Sequence, residues 1–585
     1  MRQFLKYTLA SMTGFLLAGI LLLFIGIGII ASLASSGKKE VNVQQNSVLH
    51  LNFSELISDR PSNDPLAGID FNSFEKTSSI SGRDYVRLVT EAANDNNIKG
   101  IFLDLSNINV DATIRSSIRT ALIDFKTSGK FIYAFSEGYL QNTYHLASVA
   151  DSIFMVPTGD MLFNGWASSP LFFKGMLEKL DIDVKLIRVG KYKSAGEPFI
   201  RENLSDDNRH QISSFLNSLN QQYLSDLSRS LNMPVDTLQV IANELRIRSP
   251  KDAVAHGLIH RLCFRDEVLN LLASQTDVKK IDKIRFITAS DYLRSLATER
   301  QLGEKNRIAV IYAIGDITGG EGDDETIGSD RLAAAIRKAR LDDNVKAIVL
   351  RVNSPGGSAL ASDIIWRETV LAKAEKPLVV SMGNLAASGG YYIAAAADSI
   401  FASANTLTGS IGVFGLIPSF DRFMKNKIGI TFDRVTTGPY ADILNGLRPM
   451  TAEEEQIIQS MINRIYHDFL KVVADGRNLS TDSVNSLAQG RVYTGEQALA
   501  LGLVDAMGDL NDAIACAARM AGLENYKLKE LPERPDKFEL LMSSLFETRQ
   551  KAIANELGPF YQHYRTLKSV MQADRFLARM EFIPE

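Results

Sequence analysis

At Ala387-Ser388-Gly389-Gly390 a serine stands between small residues, where an apolar run, PLVV (377–380), gives way to a helix-like run, YYIAAAA (391–397). A hydroxyl at such a junction lies beside the free N–H groups of a helix N-terminus, which favour developing negative charge. Ala386, Ala387, Gly389 and Gly390 leave room for a substrate backbone to approach. A second small-residue stretch, Ser354-Pro355-Gly356-Gly357, follows the strand-like run KAIVLRVN (346–353) and reads as a turn. An N–H of Gly357, or of Gly356, together with that of Gly389 would make an oxyanion hole beside Ser388. That is the equipment of acyl transfer through a serine nucleophile. Neither stretch holds a histidine, so a Ser-His-Asp triad is not expected. A lysine serves as the base when its amine is neutral, the form that burial favours, and Ser-Lys pairs are a known variant of triad logic. The candidates are Lys193 and its neighbour Lys191, in VGKYKSAGEP (189–198). Taken singly, each feature is bland: small residues make turns, and lysines mostly sit in solvent.

The joint pattern is more specific because the chain repeats itself. NDNNIKGIFLDL (94–105) resembles LDDNVKAIVLRV (341–352), and ADSIF occurs at 150–154 and again at 397–401, an offset of 397 − 150 = 247. A period this long means duplicated domains. Each copy alternates apolar strand-like runs with helical patterns, as βαβ units do, so each is expected to be α/β with a mostly parallel, helix-covered sheet. Thr451 and Glu454 form a capping box at the start of a long helix over 450–478, whose counterpart begins near 204. The duplication is also an internal control. The first copy has Gln141 and Asn142 in place of Ser388 and Gly389, and NINV (107–110) in place of SPGG. The second copy has Tyr440 in place of Lys193. One copy keeps the serine and its glycines, the other keeps the lysine, and neither is complete alone. The expected organisation is an N-terminal segment (1–36), a first repeat (46–295), a second repeat (305–530) and a helical, unrepeated C-terminal tail (531–585).

With 585 residues the chain is too long for one core. A net charge of −4, with no long Lys/Arg block, gives no electrostatic case for a nucleic-acid partner. Cys263 and Cys516 are too few for a thiolate metal cage or a disulfide framework; they read as apolar fillers that could pair once. The histidines show no metal-ligand spacing. From Leu9 to Ser36 no residue is charged, and the apolar run 13–34 exceeds the roughly 20 residues that cross a bilayer core. An uncleaved single-pass anchor is expected, with a cleaved signal ending in ASLASS (31–36) as the alternative. Arg2 and Lys6 before the run favour a cytoplasmic N-terminus, although Lys38 and Lys39 after it weaken the bias. The bulk of the chain would then lie on the outer, periplasmic side of the inner membrane.

RVNSPGGS (351–358), VVSMGNLAASGGYYI (379–393), LTGSIGVFG (407–415) and GKYKSAGEPFI (190–200) resemble the motifs of the signal peptide peptidase A family in its long, duplicated form. The resemblance covers essentially the whole chain. It implies tandem Clp protease/crotonase-like ββα spiral domains, with Ser388 as nucleophile, Lys193 as general base, Gly357 and Gly389 as oxyanion donors, and Ser410 orienting the lysine amine. It implies a serine endopeptidase acting on signal-peptide remnants and other membrane-associated peptides, with no cofactor and no metal. The expected assembly is a homotetramer with its active sites facing inward. Gly196, directly after KSA, is a mild departure that touches no assigned role. A crotonase-like acyl-CoA enzyme would share the fold but needs neither the serine–lysine pair nor an anchor. An inactive peptide-binding scaffold would not need Ser388 and Lys193 intact.

Overall fold

The structure is a computed structural model that describes residues 2–35, 41–61, 78–106, 108–296, 304–534 and 577–580. Strands that are apolar on both faces need helices on both sides, and two such sets form, one per repeat. In the first repeat Arg261–Leu262, Ser152–Met155, Phe131–Ser136, Ile98–Asp104, Ser47–Leu51 and Phe286–Thr288 lie side by side in that order, all parallel. In the second, Val492–Thr494, Leu407–Gly409, Leu378–Ala387, Val345–Ser354, Arg307–Ile314 and Lys527–Leu531 form the equivalent path. Ser399–Ala402 and Ala506–Met507 branch from Leu378–Ala387. Ile308, Ala309, Ile311, Ile348, Val349 and Leu350 are fully buried, as continuous apolar strands between helix layers require.

The duplication survives element by element. Helix Gly82–Asn94 recurs as Ser329–Leu341, and Ala112–Lys126 as Ala359–Lys373, each 247 residues on (329 − 82 and 359 − 112). The long helices Asp206–Leu231 and Ala452–Arg477 also correspond. Thr451 caps the second of them with the reciprocal Thr451–Glu454 bonds expected from sequence. The repeats interlock: Asp59 of the first repeat bonds the buried Arg351 of the second at 2.7 Å, and Ser218 meets Thr494 at 2.8 Å. Cys263 and Cys516 are both free thiols.

A third sheet draws on both repeats. Its order is Thr326–Gly328, Asp316–Thr318, Gly356–Ser358, Leu577–Arg579, Val413–Ser419 and Asp183–Val189. Two sequence expectations change here. Gly356-Gly357 is extended strand rather than a turn, because neighbouring strands on both sides satisfy its backbone. Most of the tail lies outside the described residues, but Leu577–Arg579 is a strand, not a helix. A three-residue strand takes its conformation from its partners, which helical periodicity does not reveal.

Arg2–Ser35 is a single helix. Among the described residues no helix is long and apolar enough to cross a membrane. The side chains of 22–35, most of the apolar run, lie outside the described residues.

In the first repeat, His145 is buried with its Nε2 3.0 Å from Asp226 Oδ2. Burial pushes its imidazole down to about 4, against the opposing pull of the Asp226 hydrogen bond. A depressed folded value means that the stability is fully present above the unfolded value of about 6.5 and is lost as pH falls through about 4. Folding should therefore weaken by roughly 3 kcal/mol across that window. Melting temperature against pH checks this: the slope between pH 6.5 and 4 should flatten in His145→Gln, and an unchanged slope would remove His145 as its source.

Candidate active site

The strand Leu378–Ala387 ends against Leu407–Gly409, and the chain turns sharply into the helix Gly389–Ala394. Ser388 makes that turn with φ 55° and ψ −115°, a backbone region non-glycine residues rarely occupy. Its own N–H is spent on the carbonyl of Gly409, at 2.8 Å. The turn leaves the Ser388 hydroxyl at the start of a helix.

The lysine arrives from the other repeat. Strand Asp183–Val189 pairs antiparallel with Val413–Ser419, and the chain then bends through 190–196. Lys193 Nζ donates to Ser388 Oγ at 2.7 Å, to Ser410 Oγ at 3.1 Å and to the Ser410 carbonyl at 3.2 Å. All three side chains are buried: Lys193 is 1% exposed, Ser388 0% and Ser410 2%. Lys191, the rival, is exposed and reaches toward Asp207 at 3.9 Å. The structure thus brings Ser388, Lys193 and Ser410 together and leaves Lys191 outside.

The glycine strand lies beside this group. Gly356 N–H is taken by Ser354 Oγ at 3.1 Å, so of the two candidate glycines Gly357 has the amide not bound to Ser354. Position 357 must be glycine: a Cβ there would sit 2.1 Å from the Ile317 carbonyl oxygen. Gly389 is the first residue of the helix after Ser388, where N–H groups lack intrahelical partners.

Sequence reasoning missed the residues that hold the lysine loop. Glu197 is fully buried and accepts from Ser205 N at 3.2 Å and Asn208 Nδ2 at 3.1 Å. Arg188 Nη1 donates to the Lys193 carbonyl at 2.8 Å and leans on Glu197 at 3.4 Å. Gln211 donates to Tyr192 O at 3.1 Å and to Ser194 Oγ at 2.9 Å, and accepts from Val492 N at 3.2 Å. Tyr192 N donates to Gln489 O at 2.9 Å, and Gly490 lies against the Lys193 backbone. A buried polar residue inside a helical pattern, such as Gln211, is the one such signal that the sequence carries. Beside the lysine opens a cavity of about 430 Å3 lined by Phe172, Phe199, Ile212, Phe215, Leu407 and Met580. Its apolar wall suits extended peptides with large aliphatic or aromatic side chains.

Comparison with known proteins agrees with this arrangement. The profile of Peptidase family S49 matches twice, at residues 124–279 and 371–524. "Protease 4" of Salmonella typhi is 38% identical over 541 residues, 90% of this chain and 86% of that protein. "Protease 4" of Haemophilus influenzae is 36% identical, over 86% of this chain and 83% of its own length. "Serine protease SPPA, chloroplastic" of Arabidopsis thaliana is 33% identical, over 76% and 66%. Similarity to a solved ClpP1 mutant of Listeria monocytogenes covers 35% of this chain and 94% of that one, at 15% identity and a TM-score of 0.24, too slight to argue from. With a family profile on each repeat and relatives similar over most of its length, the chain belongs to peptidase family S49 and is a serine peptidase.

Proposed function

We propose that the chain is a membrane-anchored endopeptidase with a Ser388/Lys193 dyad that degrades released signal peptides and other membrane-associated peptides. The observation that carries this reading is the 2.7 Å hydrogen bond between two buried side chains 195 residues apart in sequence. Neutral Lys193 takes the Ser388 proton as Oγ attacks the peptide carbonyl, and the amides of Gly357 and Gly389 hold the oxyanion. The lysine then passes that proton to the leaving amine. A water, deprotonated by the same amine, hydrolyses the acyl-enzyme and restores the serine. Ser410, with two acceptors on the amine, keeps it aimed at Oγ.

Each repeat is read as a Clp/crotonase-like spiral. The uncharged stretch from Leu9 to Ser36 supports a single-pass anchor in the inner membrane, N-terminus inside and both repeats on the periplasmic side. A homotetramer with enclosed sites would keep folded proteins away from the dyad. The test uses detergent-solubilised protein and a serine-reactive peptidyl phosphonate. Labelling should reach one per chain, fall on Ser388, and remove hydrolysis of a fluorogenic apolar peptide in proportion. Hydrolysis that survives full labelling would sink the assignment.

A further inference from the structure

The strand Leu577–Arg579 lies between two others that it separates. It pairs antiparallel with Gly356–Ser358 on one side and with Phe414 on the other. Met580 N donates to the Pro355 carbonyl at 2.7 Å. The alternation of an antiparallel ladder then makes Gly357 and Ala578 a hydrogen-bonded pair. The tail therefore engages the glycine that the dyad reading assigns to the oxyanion. Without it, Gly356–Ser358 and Val413–Ser419 would face each other as two open edges one strand apart, a ready template for an extended peptide.

The tail is seated by side chains as well. Met580 is 5% exposed and packs with Ile212, Phe215, Leu385, Ala387 and Leu407, the apolar wall beside Ser388. Arg579 Nη1 pairs with Asp316 at 3.0 Å. Ser388 is itself fully buried in this arrangement. A substrate must reach that hydroxyl by way of the glycine strand, which the tail covers.

We propose that the C-terminal segment Leu577–Met580 is a built-in competitor: it occupies the groove in which a peptide substrate would lie as an added strand, with Met580 filling an apolar side-chain subsite, and substrates must displace it. This rests on the peptidase reading above. It makes the tail a brake on KM and leaves the chemistry of the dyad untouched.

Truncation before Leu577 tests it in the solubilised full chain. A tethered segment acts at an effective concentration in the millimolar range, so a tail whose free peptide binds at about 0.1 mM should raise the apparent KM about tenfold. Truncation should lower KM for a fluorogenic apolar peptide by that factor with kcat unchanged. Met580→Asp, which keeps the tail but spoils its anchor, should do the same. The nonapeptide LARMEFIPE (577–585), added to the truncated enzyme, should inhibit competitively. An unchanged KM in both variants with no inhibition by the peptide overturns the proposal, including when truncation lowers only the melting temperature. A fluorescein-labelled copy of the peptide, bound to truncated Ser388→Ala chain and read by polarisation, needs no catalysis. If it binds while wild type hydrolyses no peptide, the groove stands and the peptidase reading falls. If wild type hydrolyses peptides and the labelled tail does not bind, the inference alone falls.

Discussion

Lys193→Ala should lower kcat for peptide hydrolysis by about a thousandfold or more, Ser388→Ala should do the same, and the double variant should fall little further. The argument is that the two side chains act as one unit. Ser388 Oγ is a weak nucleophile until a base takes its proton, and Lys193 Nζ is the amine that lies 2.7 Å from it. Removing either leaves only binding and the oxyanion amides, so the losses overlap instead of adding. Lys193→Arg should not rescue, because a guanidinium stays protonated and cannot accept the proton. Lys191→Ala should change kcat less than twofold, because Lys191 is exposed and its nearest carboxylate, Asp207, is an equally exposed surface partner. The sign of the pH dependence follows: only the neutral amine is a base, so wild-type kcat/KM should climb with pH as Lys193 loses its proton. Steady-state kinetics on variants of unchanged melting temperature decide the matter. Lys193→Ala activity within tenfold of wild type would move the base elsewhere.

The dyad was legible because the duplication supplied a comparison inside one chain. Gln141 against Ser388, and Tyr440 against Lys193, marked which residues the fold does without. The α/β repeats were legible for a similar reason: strands apolar on both faces and helices at fixed offsets leave periodic traces. What sequence could not give was anything created by contact between distant segments. Gly490 looks like an ordinary turn glycine until the lysine loop is packed against it. Glu197 and Gln211 look like surface polar residues until burial commits their hydrogen bonds. The SPGG stretch has turn composition, yet its backbone is drawn into a sheet by Ile317 on one side and Ala578 on the other. The strand Leu577–Arg579 has no strand signal of its own; its partners confer it.

Gly490→Ala should cost about a hundredfold in kcat although residue 490 touches no substrate. A Cβ at 490 would lie 2.5 Å from Lys193 N and 2.7 Å from its Cα, both main-chain atoms that cannot rotate away. Ordinary contact begins near 3.4 Å, so the two backbones must part by close to an ångström. The lysine loop has little freedom to absorb this, since Tyr192 N is bonded to Gln489 O and Gly490 N to Ile411 O. Lys193 therefore carries the shift, and its 2.7 Å bond to Ser388 opens beyond hydrogen-bond reach. A misplacement of about 1 Å in a catalytic group is worth about a hundredfold. Gly490 also has φ +77°, so alanine adds a backbone penalty of roughly 1–2 kcal/mol that lowers stability as well. Gly502→Ala separates the two effects. Its φ is +72° but nothing lies within 4 Å of the added Cβ. It should show the same stability loss with normal kcat. If both variants keep wild-type kcat, the close approach of 490 to Lys193 does not position the base; if both lose it equally, backbone strain rather than displacement of the lysine is the cause.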